Sequence, residues 1–272
     1  MEPKVLLVDK PAGVTSHDVV ASVRRDLGRK VKVGHAGTLD PFATGLLIVL
    51  TGRATRTQRL FMSLDKRYEV SARFGAVSST GDVEGEIVET GNIPDGDLHL
   101  PTGRISQRPP VFSAVKVGGV RAYRLARAGV EFELAERTVD VHEFVERSRS
   151  AETREFSIHC SSGTYVRSLI ADLGDAHCTS LRRTAIGPFV APIGETIELS
   201  LLEALSRFMP ALQCDAEQAR DLGHGKIVDL EFPEAGSNQD RLALAVHGER
   251  LVAVVGPSDD HRVRTVVGFV GD

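Results

Sequence analysis

Between residues 67 and 75 the chain alternates Tyr68, Val70, Ala72 and Phe74 with polar neighbours, and the same two-residue period returns at 138–146 and 155–161. A strand with one apolar face must bury it, so three such segments require a sheet with a layer packed on it. Residues 4–9, 46–50, 86–89 and 111–117 are further strand candidates. Helical periodicity is confined to a few places. Ser16 can cap a helix carrying Val19, Val20, Val23 and Leu27 and closed by Gly28; Thr164 can cap another carrying Val166, Leu169, Ile170 and Leu173 and closed by Gly174; residues 122–128 form a short third. Strands interrupted by occasional helices, with no regular βαβα alternation, predict an α+β fold with a mixed, mostly antiparallel sheet and flanking helices.

After about Pro210 the pattern changes to two apolar runs, 242–246 and 251–255, joined by His247-Gly248-Glu249-Arg250 and followed by 263–270. The 272 residues therefore divide into a main domain, 1–212, and a small C-terminal β module, 213–272. The longest uninterrupted aliphatic run, 46–50, is far short of the roughly 20 apolar residues that cross a bilayer, so no membrane segment is expected. The start, Met1-Glu2-Pro3-Lys4, lacks the basic and long apolar regions of a secretory signal, and a cytoplasmic protein is expected. Cys160, Cys178 and Cys214 are too widely spaced for a disulfide framework or a metal knuckle, and none of the nine histidines has a metal-ligand spacing with a cysteine or carboxylate. No metal site is expected.

The net charge of −4 conceals segments of opposite sign. Residues 10–73 hold 12 Lys and Arg against 5 acids, residues 104–127 hold 6 bases and no acid, and the chain from Asp215 onward carries −5. Local potential matters more to a polyanionic partner than the total, so the first two segments are candidate nucleic-acid surfaces and the tail is not a basic field.

The densest chemical signal is Gly34-His35-Ala36-Gly37-Thr38-Leu39-Asp40-Pro41-Phe42-Ala43-Thr44-Gly45. Its glycines permit close backbone approach and Pro41 biases Asp40 toward extended backbone, so one carboxylate can be held rigidly between regular elements. No Walker lysine follows, and the helical, basic context of a KH loop is missing. On spacing alone, an Asp-Pro turn in a glycine-rich stretch is the commoner reading, and the function stays open.

This segment resembles the catalytic loop of the TruB family of tRNA pseudouridine synthases, whose pattern is close to GHxGTLDPxATG. Five further blocks match that family in order: Asp9-Lys10-Pro11-Ala12-Gly13-Val14-Thr15-Ser16, Lys66-Arg67-Tyr68, Ser113-Ala114-Val115-Lys116, Gly163-Thr164-Tyr165-Val166-Arg167 and Leu181-Arg182-Arg183. The resemblance covers about residues 4 to 190, and the tail suggests the PUA or PUA-like RNA-binding module that such synthases carry. It implies isomerisation of the uridine at position 55 in the tRNA T-loop, with the nucleotide flipped out of its stack and no metal or organic cofactor. It also implies a T-arm stem-loop partner, and a monomer is expected.

By the same resemblance Asp40 is the catalytic carboxylate, Arg167 the arginine that pairs with it in a two-pronged fork, and Tyr68 the aromatic that stacks on the target base. His35 is the histidine that helps extrude the nucleotide. Breaking a glycosidic bond without a metal independently calls for such a carboxylate, as nucleophile or as stabiliser of charge at the sugar carbon. Lys10 reads as structural or phosphate-facing, and Arg182 and Arg183 as phosphate contacts or sheet-edge packing. Arg104, Arg108, Lys116, Arg121, Arg124 and Arg127 fall where the family has an RNA-clasping insertion, about 104–137. Residues 88–104 and 175–180 are shorter than in many family members. An inactive tRNA-binding protein of the same fold is the alternative; a glycosidase would need a second acid beside Asp40 in this loop, and none is there.

Overall fold

A computed structural model of the chain describes residues 2–28, 30–113, 115–232, 242–259 and 261–269. The main sheet is built from β1 (Lys4–Lys10), β2 (Val33–His35), β3 (Thr44–Thr51) and β4 (Lys66–Phe74). A small hairpin, β5 (Ala76–Ser78) and β6 (Ile87–Glu89), precedes sheet strand β7 (Gly103–Gln107), and a second, β8 (Lys116–Val117) and β9 (Val120–Arg121), follows it. The sheet is completed by β10 (Arg137–Arg149), β11 (Thr153–Cys160), β12 (Ala176–Ile186), β13 (Phe189–Val190) and β14 (Ile197–Ser200). Its order is β14-β1-β3-β12-β4-β11-β10-β7, with β2 on β3 and β13 on β12. All of these pairs are antiparallel except β3 with β12, where Arg182 lies opposite Thr44 and Arg183 opposite Gly45. Two antiparallel halves thus meet at one parallel seam, and the glycine-rich loop ends on that seam. The α+β fold and mostly antiparallel sheet expected from the sequence are what the chain forms.

The alternation in β4 buries Tyr68, Val70, Ala72 and Phe74 on one face, against α4 (Val166–Ala171) and the aliphatic and aromatic residues of β10–β12. Three local expectations are corrected. The first helix, α1 (Ser16–Leu27), is capped by Thr15 in a reciprocal box with Asp18, which frees the buried Ser16 hydroxyl for another partner. Thr164 does not cap α4; its hydroxyl donates to Ser161 O, the cap position is Tyr165, and the helix stops at Ala171. Of the strand expected at 111–117 only Lys116–Val117 forms, and Ala114 lies outside the described residues. The shortened stretch 88–104 is pinned by Arg154, which donates to Pro94 O and Gly96 O, and the second shortened stretch, 175–180, mostly opens β12.

The C-terminal sheet has the order β15-β17-β18-β19-β16, from Ala211–Gln213, Ala243–His247, Arg250–Asp259, Arg262–Gly268 and Val228–Asp229, with α6 (Ala216–Gly223) packed on it. Val270, expected in the last strand, lies outside the described residues. This sheet is not insulated from the main one. Leu244, Val246 and Val254 share a buried cluster with Leu199 of β14, with Leu201 and Leu205 of α5 (Leu201–Ser206), and with Phe61 of α2 (Gln58–Ser63). Among the described residues no helix is long and apolar enough to cross a membrane.

Candidate active site

Between β2 and β3 the loop is tethered residue by residue. Ala36 N–H donates to Ile48 O. The buried Arg183 donates to Gly37 O and Thr38 O, at 3.1 and 3.3 Å, and to Leu46 O beyond the loop. Ser16 Oγ both accepts from Leu39 N and donates to Leu39 O, at 2.9 and 3.1 Å. Lys10 Nζ and Gly13 N–H both donate to Pro41 O. Gly45 closes the loop at φ +100°, and a Cβ there would stand 2.3 Å from Arg183 O. Only glycine permits this approach of the loop to the parallel seam.

These contacts decide the two alternatives left open at Lys10 and Arg183 against RNA contact. Lys10 and Arg183 do not face RNA phosphates: both are buried, and their donors go to main-chain carbonyls, those of Lys10 to Pro41 in the loop and to Pro11 and Val14 after β1. Buried cations are costly unless their donors are satisfied, and the carbonyl sets supply that satisfaction. Burial still lowers the pKa of each, opposed at Lys10 by the charge of Asp40. Arg182 is partly exposed but forms a two-pronged pair with Asp9, at 3.0 and 2.8 Å, across the sheet.

The tethered loop presents Asp40 to Arg167, whose Nε lies 2.9 Å from Asp40 Oδ2. The expected fork on a single carboxylate is not what forms. Arg167 distributes its nitrogens: Nη1 reaches Asp82 Oδ2 at 3.2 Å and Thr80 O, and Nη2 donates to Phe112 O at 2.9 Å. The Arg167 and Asp82 side chains are each 4% exposed, whereas Asp40 is 35% exposed, so the open end of the network is the Asp40 carboxylate. Asp82 is itself fixed, accepting from Thr80 Oγ1 at 2.6 Å and Glu84 N at 3.0 Å. Burial pushes the Asp40 carboxyl up, Arg167 draws it back, and the charge of Asp82 raises it again. The Glu84 carboxyl is also raised, by burial and by both aspartates.

Sequence reading missed Asp82. Forty-two residues from Asp40, it lies outside the matched motifs; the signal that could have marked it is its place between Gly81 and Gly85, in a turn that folds back onto Arg167. The second acid absent from the loop is thus supplied from elsewhere, but sequestered and ion-paired.

Tyr68 is buried beside this network, opposite Arg183 in the pairing of β4 with β12, and burial raises its pKa so that the phenol stays neutral. His35 lies at the loop entrance, its ring 5.3 Å from that of His17 in an edge-on arrangement. Burial, followed by the charges of His17, Arg183 and Arg121, lowers the His35 pKa to about 4, leaving a neutral ring. The β8–β9 hairpin belongs to the 104–137 insertion. That insertion is tied to the site at its base: Gln107 exchanges hydrogen bonds with both backbone groups of Tyr165, at 3.0 and 2.8 Å, and Arg167 holds Phe112 O. Lys116, Arg121, Arg124 and Arg127 are exposed beyond it, with Arg124 and Arg127 over the Tyr123 ring. Arg104 is exposed on β7, and Arg108 pairs with Glu136 at 3.4 Å. Among the described residues the grouping suited to a metal, Asp65 with His142 and His159, lies apart from these residues.

Residues 24–166 match the family described as TruB family pseudouridylate synthase (N terminal domain). A tRNA pseudouridine synthase B of Thermobifida fusca is 44% identical, over 83% of this chain and 86% of the relative. One of Leifsonia xyli is 40% identical over 98% and 97%. The chain also superposes on a protein in the crystal structure of a Cbf5-Nop10-Gar1 complex, with TM-score 0.68, 24% identity and coverage of 99% and 84%. A chain of an H/ACA RNP bound to a substrate RNA gives TM-score 0.67 at 22% identity, covering 98% and 85%. At these identities the last two establish the shared fold.

Proposed function

The chain belongs to the TruB family of pseudouridylate synthases, and from that premise we propose that it converts the uridine at position 55 in the T-loop of tRNA to pseudouridine, with Asp40 as the reacting carboxylate. The observation that carries this is the tethered loop: six backbone groups of residues 36–41 are held by Ile48, Arg183, Ser16, Lys10 and Gly13, and the one carboxylate so presented is the exposed end of an otherwise buried ion-pair network. Preorganisation of this kind is what a reaction at a sugar–base bond needs, because the charge that develops must meet a group already in place.

The isomerisation conserves atoms. The N1–C1′ bond breaks, a C5–C1′ bond forms, the C5 proton leaves and N1 gains one. Asp40 supplies the anionic oxygen, Arg167 keeps it aimed, and neutral Tyr68 offers a flat face for the detached base. His35, also neutral, fits the space left by a flipped nucleotide. The exposed cations of the 104–137 insertion meet the stem backbone, through contacts that salt weakens. In the C-terminal module, Arg220, His224, His247 and Arg250 line a concavity of about 510 Å³, the few placed groups through which an acidic module can hold a phosphate.

The test is incubation with an unmodified T-arm stem-loop and with the same stem-loop carrying cytidine in place of the target uridine. Tritium release from C5-labelled uridine in the first and none in the second is expected.

A further inference from the structure

Asp65, His142 and His159 are far apart in sequence and were not expected to meet. They are brought together by strand register. Asp65 immediately precedes β4, His159 lies in β11 opposite Arg67, and His142 lies in β10 at a bulge between Val141 and Glu143. A bulge re-aims the side chain at the extra residue, and here it turns His142 toward His159, which itself stands opposite Glu143. Because successive residues of a strand face opposite sides, His159 and Arg67 lie on the face away from Tyr68 and Ile158.

One ligand atom from each of the three residues lies within 4.8 Å of the other two. His142 Nε2 is 3.1 Å from Asp65 Oδ2. The two imidazoles are 4.7 Å apart between centroids and inclined at 55°, so their nitrogens can converge on a point where parallel stacked rings could not. Zinc binds imidazole nitrogen and carboxylate oxygen at roughly 2.0–2.2 Å, which requires donor atoms about 3–4 Å apart, and side-chain rotations close the remaining difference. The neighbouring cations are engaged: Arg67 with Glu143 at 3.7 Å and Arg147 with Glu143 at 3.4 Å. None of the three residues takes part in the catalytic network, and all are accessible from solvent.

The geometry points to a binding site for one divalent first-row transition cation such as zinc, held by Asp65, His142 and His159 with water completing the coordination. Two imidazoles and one carboxylate suit zinc, nickel or cobalt better than magnesium or calcium, which prefer oxygen donors. A bound ion would lock the β10–β11 hairpin to the start of β4, three residues before Tyr68, and so brace the sheet from its rear face.

The experiment is calorimetric titration of zinc chloride into the full chain after dialysis against a chelator, repeated on His142→Ala, His159→Ala, Asp65→Asn and the surface control His99→Ala. One ion per chain is expected, with each single cluster variant weakened by at least about tenfold through loss of one of three protein donors, and His99→Ala unchanged. Cobalt should give the visible absorption of a low-symmetry site in the wild type and not in the double variant His142→Ala/His159→Ala. Zinc should raise the unfolding temperature of the first and not of the second. Absence of saturable uptake at micromolar zinc, or uptake that survives in the double variant, would overturn the assignment.

Discussion

Arg167 and Asp82 form a buried ion pair, 3.2 Å from Nη1 to Oδ2, behind the contact between Arg167 and Asp40. Arg167 thus holds Asp40 with a guanidinium that is itself held, and removing either anchor leaves a buried charge short of a partner.

Asp82→Asn keeps the shape and the Thr80 side of the network but removes the charge opposite Arg167. Turnover is expected to fall by about ten- to a hundredfold, the scale of a small misplacement of the reacting group, with tRNA affinity little changed. Single-turnover kinetics alongside filter binding separate the two quantities. A loss of binding with normal turnover would place Asp82 elsewhere in the function.

Arg167→Lys should reduce turnover by about a hundredfold, because one ammonium cannot reach Asp40, Asp82, Thr80 O and Phe112 O together. Near-normal activity of this variant would show that the four-way arrangement is dispensable.

The pH dependence follows from Asp40. Its carboxyl is raised above the ordinary aspartate value, and the role proposed for it requires the ionised form, so activity should fail on acidification at a higher pH than for a solvated aspartate. The charge of Asp82 is one cause of that rise, so the residual activity of Asp82→Asn should show its acid limb displaced to lower pH. The check is single-turnover rate against pH for both proteins; a limb displaced upward in the variant would contradict the electrostatics.

Gly45→Ala tests the seam. A methyl group 2.3 Å from Arg183 O, at φ +100°, forces β3 from β12 or the loop from its tethers, and a stability loss of about 3 kcal/mol or more is expected. Denaturant titration measures it.

Much of this was legible in the chain. The alternation at Tyr68, Val70, Ala72 and Phe74 announces β4, and the run 34–45 announces a loop built around Asp40. Asp82 was marked only by the glycines of its turn, and the Asp65–His142–His159 cluster was hidden because register, which no local pattern records, brings it together. Lys10 and Arg183 were left between two readings for another reason: a basic residue beside a nucleic-acid motif can face phosphate or pack inward, and only burial shows its donors turned to carbonyls. Next to the boundary expected at 212/213, Ala211–Gln213 pairs with the second sheet.

That shared packing bears on the C-terminal module. Ending the chain after Cys214 would strip Leu244, Val246 and Val254 from Leu199, Leu201 and Leu205, and the truncated protein is expected to aggregate. The charge reversal Arg220→Glu with Arg250→Glu tests the module without unfolding it. Affinity for full-length tRNA should drop about tenfold, equivalent to roughly 1.4 kcal/mol, while turnover of the isolated T-arm stem-loop is unaltered. Unaltered affinity for both RNAs would remove the concavity from the tRNA interface.

Asp40, on the proposed function, acts on one uridine of tRNA. The most direct measurement of that action is chemical mapping of pseudouridine in unmodified tRNA after incubation with the wild type and with Asp40→Asn, with binding of both proteins determined in parallel. The wild type should produce a single new pseudouridine, at position 55, and Asp40→Asn should bind the tRNA nearly as well and produce none. Modification by Asp40→Asn at an appreciable rate, or a wild type that binds tRNA and leaves it unmodified, would contradict the account.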